Sequence, residues 1–134
     1  MNLSVVSPEG TIYNDSVNQV SLPTEKGEIT ILPHHIALFT KMTEGIISIQ
    51  KGIKEQIIAT VGGFVEIKNN SITILSDHAV KAENIQVAQA QDAKKRAEDR
   101  MKRRDSEIDF IMAEKQLQKA IMELKVADKI KRRQ

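Results

Sequence analysis

The 134-residue sequence contains no cysteine and no tryptophan. Without cysteine there is no disulfide, no thiolate metal site and no cysteine nucleophile. The aromatic residues are Tyr13, Phe39, Phe64 and Phe110, too few for a surface that stacks nucleic-acid bases. No run of roughly 18 or more apolar residues occurs, which excludes a helical membrane span. The first residues, Met-Asn-Leu-Ser-Val-Val, have neither a basic stretch nor a long apolar core, so no classical signal peptide is expected. Glycine and proline are missing from the second half of the chain: all six glycines and three prolines precede residue 84.

What is present divides the same way. Residues 1–84 hold six lysines, no arginine and nine acids, a net −3. Residues 85–134 hold fourteen basic residues and nine acids, a net +5. Strand formers and turn breakers lie in front, and Ala, Gln, Lys, Arg, Glu and Met, which favour helix, lie behind. A boundary is expected near Ala82–Ile85, giving domains over 1–84 and 85–134.

The first half reads as short alternating runs: Leu3 to Val6, Val17 to Leu22, Glu28 to Leu32, Ile46 to Ile49, Gln56 to Val61, Phe64 to Lys68 and Ser71 to Leu75. Turn residues separate them, at Ser7-Pro8-Glu9-Gly10, Pro23, Lys26-Gly27, Pro33, Lys51-Gly52 and Gly62-Gly63. Asn69-Asn70 between two alternating runs predicts a tight hairpin, because asparagine tolerates positive φ. Eight or nine strands in about 80 residues predict a β-sandwich or flattened barrel.

In the second half, helices are predicted over 85–104 and 106–131. Ile85, Ala93, Ala97 and Met101 share one face of the first, with Ala90 nearby. Ser106 followed by Asp109 resembles a capping box opening the second. There Phe110, Ala113, Leu117, Ala120, Leu124 and Ala127 form a seam alternating large and small side chains. The short Asp105-Ser106 break predicts an antiparallel hairpin. The fold class is therefore α+β, a sandwich followed by a two-helix hairpin. An alanine seam buries little area, so the hairpin is marginally stable and able to open.

Chemical motifs are sparse. His34-His35 are adjacent in an extended stretch, where side chains alternate sides, an awkward geometry for one metal. His78 beside Asp77 has no accompanying nucleophile or glycine-rich cradle, and no Walker-type glycine-lysine loop occurs. Gly62-Gly63 predicts a bulge or a close backbone approach. The basic stretch Lys94-Lys95-Arg96, Arg100, Lys102-Arg103-Arg104 is interrupted by Asp92, Glu98, Asp99 and Asp105. It reads as a solvated helix face with internal pairs, or as a docking face for an acidic protein. Lys129, Lys131, Arg132 and Arg133 extend that basic character. A free-standing nucleic-acid-binding module using the hairpin is the alternative from another class.

Several blocks go further. Leu3-Ser4-Val5-Val6-Ser7-Pro8-Glu9-Gly10 is followed by Val20-Ser21-Leu22-Pro23, Gly27-Glu28 and Ile31-Leu32-Pro33-His34-His35. Then come Thr60-Val61-Gly62-Gly63-Phe64-Val65-Glu66-Ile67, Ile72-Thr73-Ile74-Leu75 and Ala93-Lys94-Lys95-Arg96-Ala97-Glu98. In order and spacing, over nearly the whole chain, these resemble the epsilon subunit of bacterial F-type ATP synthase. The sequence departs at Ala37, where many members have proline, and at Thr30, where glycine is common.

The resemblance implies a non-catalytic rotor subunit, peripheral on the cytoplasmic face of the cell membrane as part of the complex. It implies no cofactor, no metal and no nucleic acid. The expected partners are the gamma subunit, the polar loops of the c-ring and, through an extended hairpin that blocks ATP hydrolysis, the alpha and beta subunits. Carried over, Glu28, His35, Met42, Thr43 and Glu44 are candidates for the end facing the c-ring. Arg96, Arg100, Arg103 and Arg104 are candidates for docking on the catalytic head. Many members bind ATP through an Ile-Asp-x-x-Arg-Ala pattern and two arginines on the second helix. Here those charged positions are Gln86, Gln89, Lys119 and Glu123, so no nucleotide binding is expected.

Overall fold

The computed structural model of the protein describes residues 1–133, with side chains through Lys131. The Arg132 and Arg133 side chains, counted above with the basic end, lie outside the described residues. The chain forms two compact units, the first Met1–Glu83 and the second beginning at Asn84.

The first unit holds ten strands, β1 (Asn2–Ser7), β2 (Gly10–Ser16), β3 (Gln19–Thr24), β4 (Gly27–Ile31), β5 (Leu38–Met42), β6 (Gly45–Lys51), β7 (Lys54–Thr60), β8 (Gly63–Lys68), β9 (Ser71–Ser76) and β10 (Ala79–Lys81). They hydrogen-bond in the order β10-β7-β6-β3-β5-β8-β9-β1-β2, with β4 paired to β3. The link between β3 and β5 is a single residue pair, Thr24 with Met42. The ladder turns a corner there, and two sheets face each other as a sandwich. All pairings are antiparallel except β1 with β9.

Alternation explains the core. Along β3, Val20, Leu22 and Thr24 are buried between half-exposed neighbours. Along β8, Val65 and Ile67 point in while Phe64, Glu66 and Lys68 point out. Leu3, Val5, Ile31, Ile47, Ile49, Ile58, Ile72 and Ile74 complete a core drawn from both sheets. Each such side chain contributes about 1.5–3 kcal/mol on burial. The core cluster lies between Leu3 and Ala79, so the sandwich core needs no residue of the hairpin.

Three strands were not legible in the sequence. β2 carries Asn14 and Asp15 and is largely exposed at a sheet edge. In β5 the outward Phe39 spoils the apolar-polar alternation, and β10 is three residues long, too short to display a period. Pro23, read as a strand terminator, lies inside β3. The ladder from β3 to β6 covers only Gln19, Val20 and Ser21, so its missing N–H falls where that ladder has already ended.

Two predicted backbone features hold. Asn69 and Asn70 adopt φ of 52° and 59° between the paired strands β8 and β9. A Cβ on Gly63 would lie 1.9 Å from the Leu75 carbonyl oxygen, a close backbone approach.

A 3-10 turn, Ala82–Asn84, spans the boundary, and the second unit continues with α1 (Val87–Arg103) and α2 (Glu107–Arg133). Ile85, placed on the first helix by its pattern, precedes α1. Ala90 and Ala97 of α1 and Ala113 and Ala120 of α2 are buried, as the small-residue seam predicts. Met122 and Val126, which that seam omits, are buried as well. Arg104 ends α1 in the left-handed region, φ 48° and ψ 50°, where glycine is usual, and its guanidinium lies 4.3 Å from the Phe110 ring centroid. Ser106 Oγ accepts the Asp109 N–H at 3.0 Å, one half of the expected capping box.

Candidate functional site

On the outer face of the sandwich, the registers bring apolar residues of three strands together. Phe64 of β8 lies opposite Lys41 of β5 and Leu75 of β9. Phe39 of β5 stacks on Phe64, with ring centroids 5.7 Å apart and planes 15° apart. Phe39, Phe64 and Leu75 are 65%, 46% and 52% exposed, an apolar surface open to a partner. This face was missed in the sequence, although the outward Phe64 and Leu75 break the apolar-in, polar-out pattern and are the signal for it.

The residues expected at one end divide between two. Glu28 lies opposite Pro23 in the β3–β4 hairpin, and Thr43 N–H donates to the Pro23 carbonyl at 3.1 Å. Glu28, Thr43 and the exposed Glu44 therefore neighbour one turn. Met42 is 1% exposed; it belongs to the core, and its side chain is not a surface contact. His35 precedes β5, and its neighbour His34 N–H donates to Asn70 Oδ1 at 2.8 Å. That is the β8–β9 turn, at the other end of β5, so the fold separates His35 from the rest. His34 lies in a turn at φ 65°, not in the extended stretch expected for the pair, and His35 Nδ1 lies 2.8 Å from the Ile36 carbonyl oxygen. Among the described residues no three of His, Asp or Glu converge as a metal site.

At a third place, Lys51 Nζ meets Asp15 Oδ2 at 2.5 Å. The Lys51 hydrogen bond holds the Asp15 carboxyl below its ordinary range and, reciprocally, holds the Lys51 ammonium above its own. Burial first, then the Asp15 charge, pushes the Tyr13 hydroxyl up.

In the second unit, Arg96, Arg100 and Arg103 follow one another at spacings of four and three on one face of α1, and Arg104 caps that helix in the left-handed region. Three of them already have partners. Arg96 Nε lies 3.3 Å from Asp92 Oδ2. Arg100 reaches α2, with Nη1 2.8 Å from Gln116 Oε1 and Nη2 2.5 Å from Asp109 Oδ1. Arg104 covers Phe110. Between the helices lies a cleft of about 530 Å³, lined by Gln86, Gln89, Arg96, Arg100, Gln116, Lys119, Glu123 and small neighbours. The four altered nucleotide positions thus share one cavity.

The arrangement defines an interaction protein in two parts, an apolar sheet face on one unit and a cationic two-helix cleft on the other. Comparison with known proteins gives its family. Residues 1–82 match the ATP synthase delta/epsilon chain beta-sandwich domain, and residues 83–128 match the long alpha-helix domain of the same chain. The ATP synthase epsilon chain of Desulforamulus reducens is 40% identical over 126 residues, covering 94% of this chain and 96% of that one. That of Halalkalibacterium halodurans is 40% identical over 128 residues, covering 95% and 96%. A chain of the Euglena gracilis mitochondrial ATP synthase (OSCP/F1/c-ring) has the same fold, with TM-score 0.65 and 22% identity over 87% of this chain and 74% of its own. The chain belongs to the ATP synthase delta/epsilon family, and its relatives are bacterial epsilon chains.

Its cleft should not bind ATP. An amide in place of a guanidinium removes a charge-assisted contact of roughly 1.5–3 kcal/mol, and Glu123 adds a carboxylate to the wall. Arg96 and Arg100, also in the wall, are engaged by Asp92 and Asp109. Isothermal titration of the free protein should detect no micromolar ATP affinity. The combined Gln86→Asp, Gln89→Arg, Lys119→Arg and Glu123→Arg variant should acquire measurable affinity.

Proposed function

We propose that this chain is a non-catalytic central-stalk subunit of an F-type ATP synthase. Its sandwich packs on the gamma subunit and on the polar loops of the c-ring. Its hairpin extends to the alpha and beta subunits and inhibits ATP hydrolysis. It is peripheral on the cytoplasmic face of the membrane through that complex. The observation that carries the reading is the family match over both units, in order, out to residue 128.

The physical arrangement supports the contacts proposed for the sandwich. The Phe39–Phe64–Leu75 face supplies the apolar area that gamma would cover. Glu28, Thr43 and Glu44 offer polar groups near one turn for the c-ring loops, with His35 at the opposite end of β5 available to a different neighbour. The nucleic-acid reading loses its support, because the basic hairpin itself matches the long alpha-helix domain of the ATP synthase delta/epsilon chain.

The test is binding of residues 1–84 to gamma from the same source. This fragment should bind, since it contains the whole core cluster. Phe64→Glu should weaken binding by at least ~2 kcal/mol, about 30-fold, as expected for a central aromatic anchor. A folded fragment that ignores gamma would sink the proposal.

A further inference from the structure

Arg100 is the point where the two helices are tied by charge. It leaves α1 and spends both arms of its guanidinium on α2, one on Gln116 and one on Asp109. Arg96–Asp92 lies within a single helix at i, i+4 and joins nothing across the hairpin. Its side chains are 71% and 66% exposed, against 25% and 32% for Arg100 and Asp109. The cross-helix pair is therefore the less screened of the two. Around it the apolar seam is methyl-sized, Ala97 and Ala113 being its buried members.

Asp109 adds a second sign. At the third position of α2, an acidic side chain would reach back to the cap residue. Ser106 makes its half of that motif with the Asp109 N–H, but the Asp109 carboxylate turns to Arg100 instead. A local preference has yielded to a cross-helix bond. Arg100 and Gln116 also line the cleft, so a carboxylate from outside reaches the same guanidinium through it.

We propose that Arg100 is a two-position residue. In the closed hairpin it is the latch, held by Asp109 and Gln116. In the open hairpin the same guanidinium anchors a carboxylate of the catalytic head, which replaces Asp109. A latch and an anchor on one side chain exclude each other, so opening and docking become one exchange of carboxylates. The proposal rests on the reading that the open hairpin inhibits hydrolysis.

The test uses the full-length chain, free and in the reconstituted complex. Labels are placed at Gln91→Cys and Gln118→Cys, exposed positions on α1 and α2 in a chain with no other cysteine. Asp109→Asn keeps the shape and removes the charge. It should raise the open-to-closed ratio by up to about 5-fold, the range for a partly exposed ion pair, and strengthen inhibition. Arg100→Ala should also open the hairpin but weaken inhibition. Arg100→Lys should recover part of that inhibition, because the charge remains. Glu107→Gln removes the other first-turn acid of α2 and controls for the helix dipole. An unchanged label separation in Asp109→Asn, or an equal change in Glu107→Gln, overturns the latch. Asp109→Asn and Arg100→Ala moving inhibition the same way, or neither moving it, overturns the anchor. Failure of the inhibitory reading itself shows separately, as unchanged hydrolysis when residues 85–134 are deleted.

Discussion

Gly63→Ala should unfold or severely weaken the sandwich. Gly63 begins β8 at φ 149°, and an added Cβ would lie 1.9 Å from the Leu75 carbonyl oxygen and 2.8 Å from the Ser76 Cα. Both are backbone atoms of the neighbouring strand β9, so no rotamer change relieves the overlap. The strands must separate, and the hydroxyl cluster beside them is disturbed: Ser76 Oγ and Thr60 Oγ1 lie 2.7 Å apart, and Ser76 donates to the Gly62 carbonyl at 3.0 Å. A loss of about 3–5 kcal/mol is expected. Against a total of about 5–15 kcal/mol for a domain, little margin remains. In thermal unfolding of the full chain, the sandwich transition should fall by ~12 °C or more. Gly10→Ala is the control: its φ is 129°, but no atom lies within 4 Å of the added Cβ. It should cost only backbone strain, about 1–2 kcal/mol. Equal shifts for the two variants would mean that Gly63 is kept for its φ alone.

Deleting residues 85–134 should raise ATP hydrolysis by the reconstituted head while ion-coupled synthesis persists. The sandwich core ends at Ala79, so the truncated chain retains what the gamma contact needs. What it loses is the cationic hairpin. Changing Arg96, Arg100, Arg103 and Arg104 together to alanine should give part of the same release, since alanine maintains the helix at the first three and removes the charge at all four. If each exposed pair with the head contributes about 0.5 kcal/mol, the four weaken the inhibitory equilibrium by ~2 kcal/mol, about 30-fold. Salt should act in the same direction, because exposed charges are screened within about 8–10 Å at 0.10–0.15 M and ~3 Å at 1 M. Equal inhibition by truncated and full-length chains would leave the subunit a purely structural clamp.

Local rules determined much of this protein. Alternation in Phe64 to Lys68 and Ser71 to Leu75 sets two strands and the faces they bury, because a strand repeats every two residues. Asn69-Asn70 sets the turn between them, because few other residues accept positive φ twice in succession. The alanine spacing of α1 and α2 sets a closely packed seam, because positions three and four apart share a helix face. The altered positions Gln86, Gln89, Lys119 and Glu123 were legible by resemblance, and they meet in one cleft. Other features belong to the tertiary structure. The parallel pairing of β1 with β9 joins segments about 70 residues apart by register, and no local pattern encodes that neighbour. Met42 lies in the core and His35 at the far end of β5, because β5 is anchored by β8 on one side and touches β3 at a single pair. Arg100 alone in the sequence is one cation among seven in its stretch. Its bond to Asp109 exists because the chain reverses at Arg104–Ser106 and returns α2 to the same side, which a charge count cannot show.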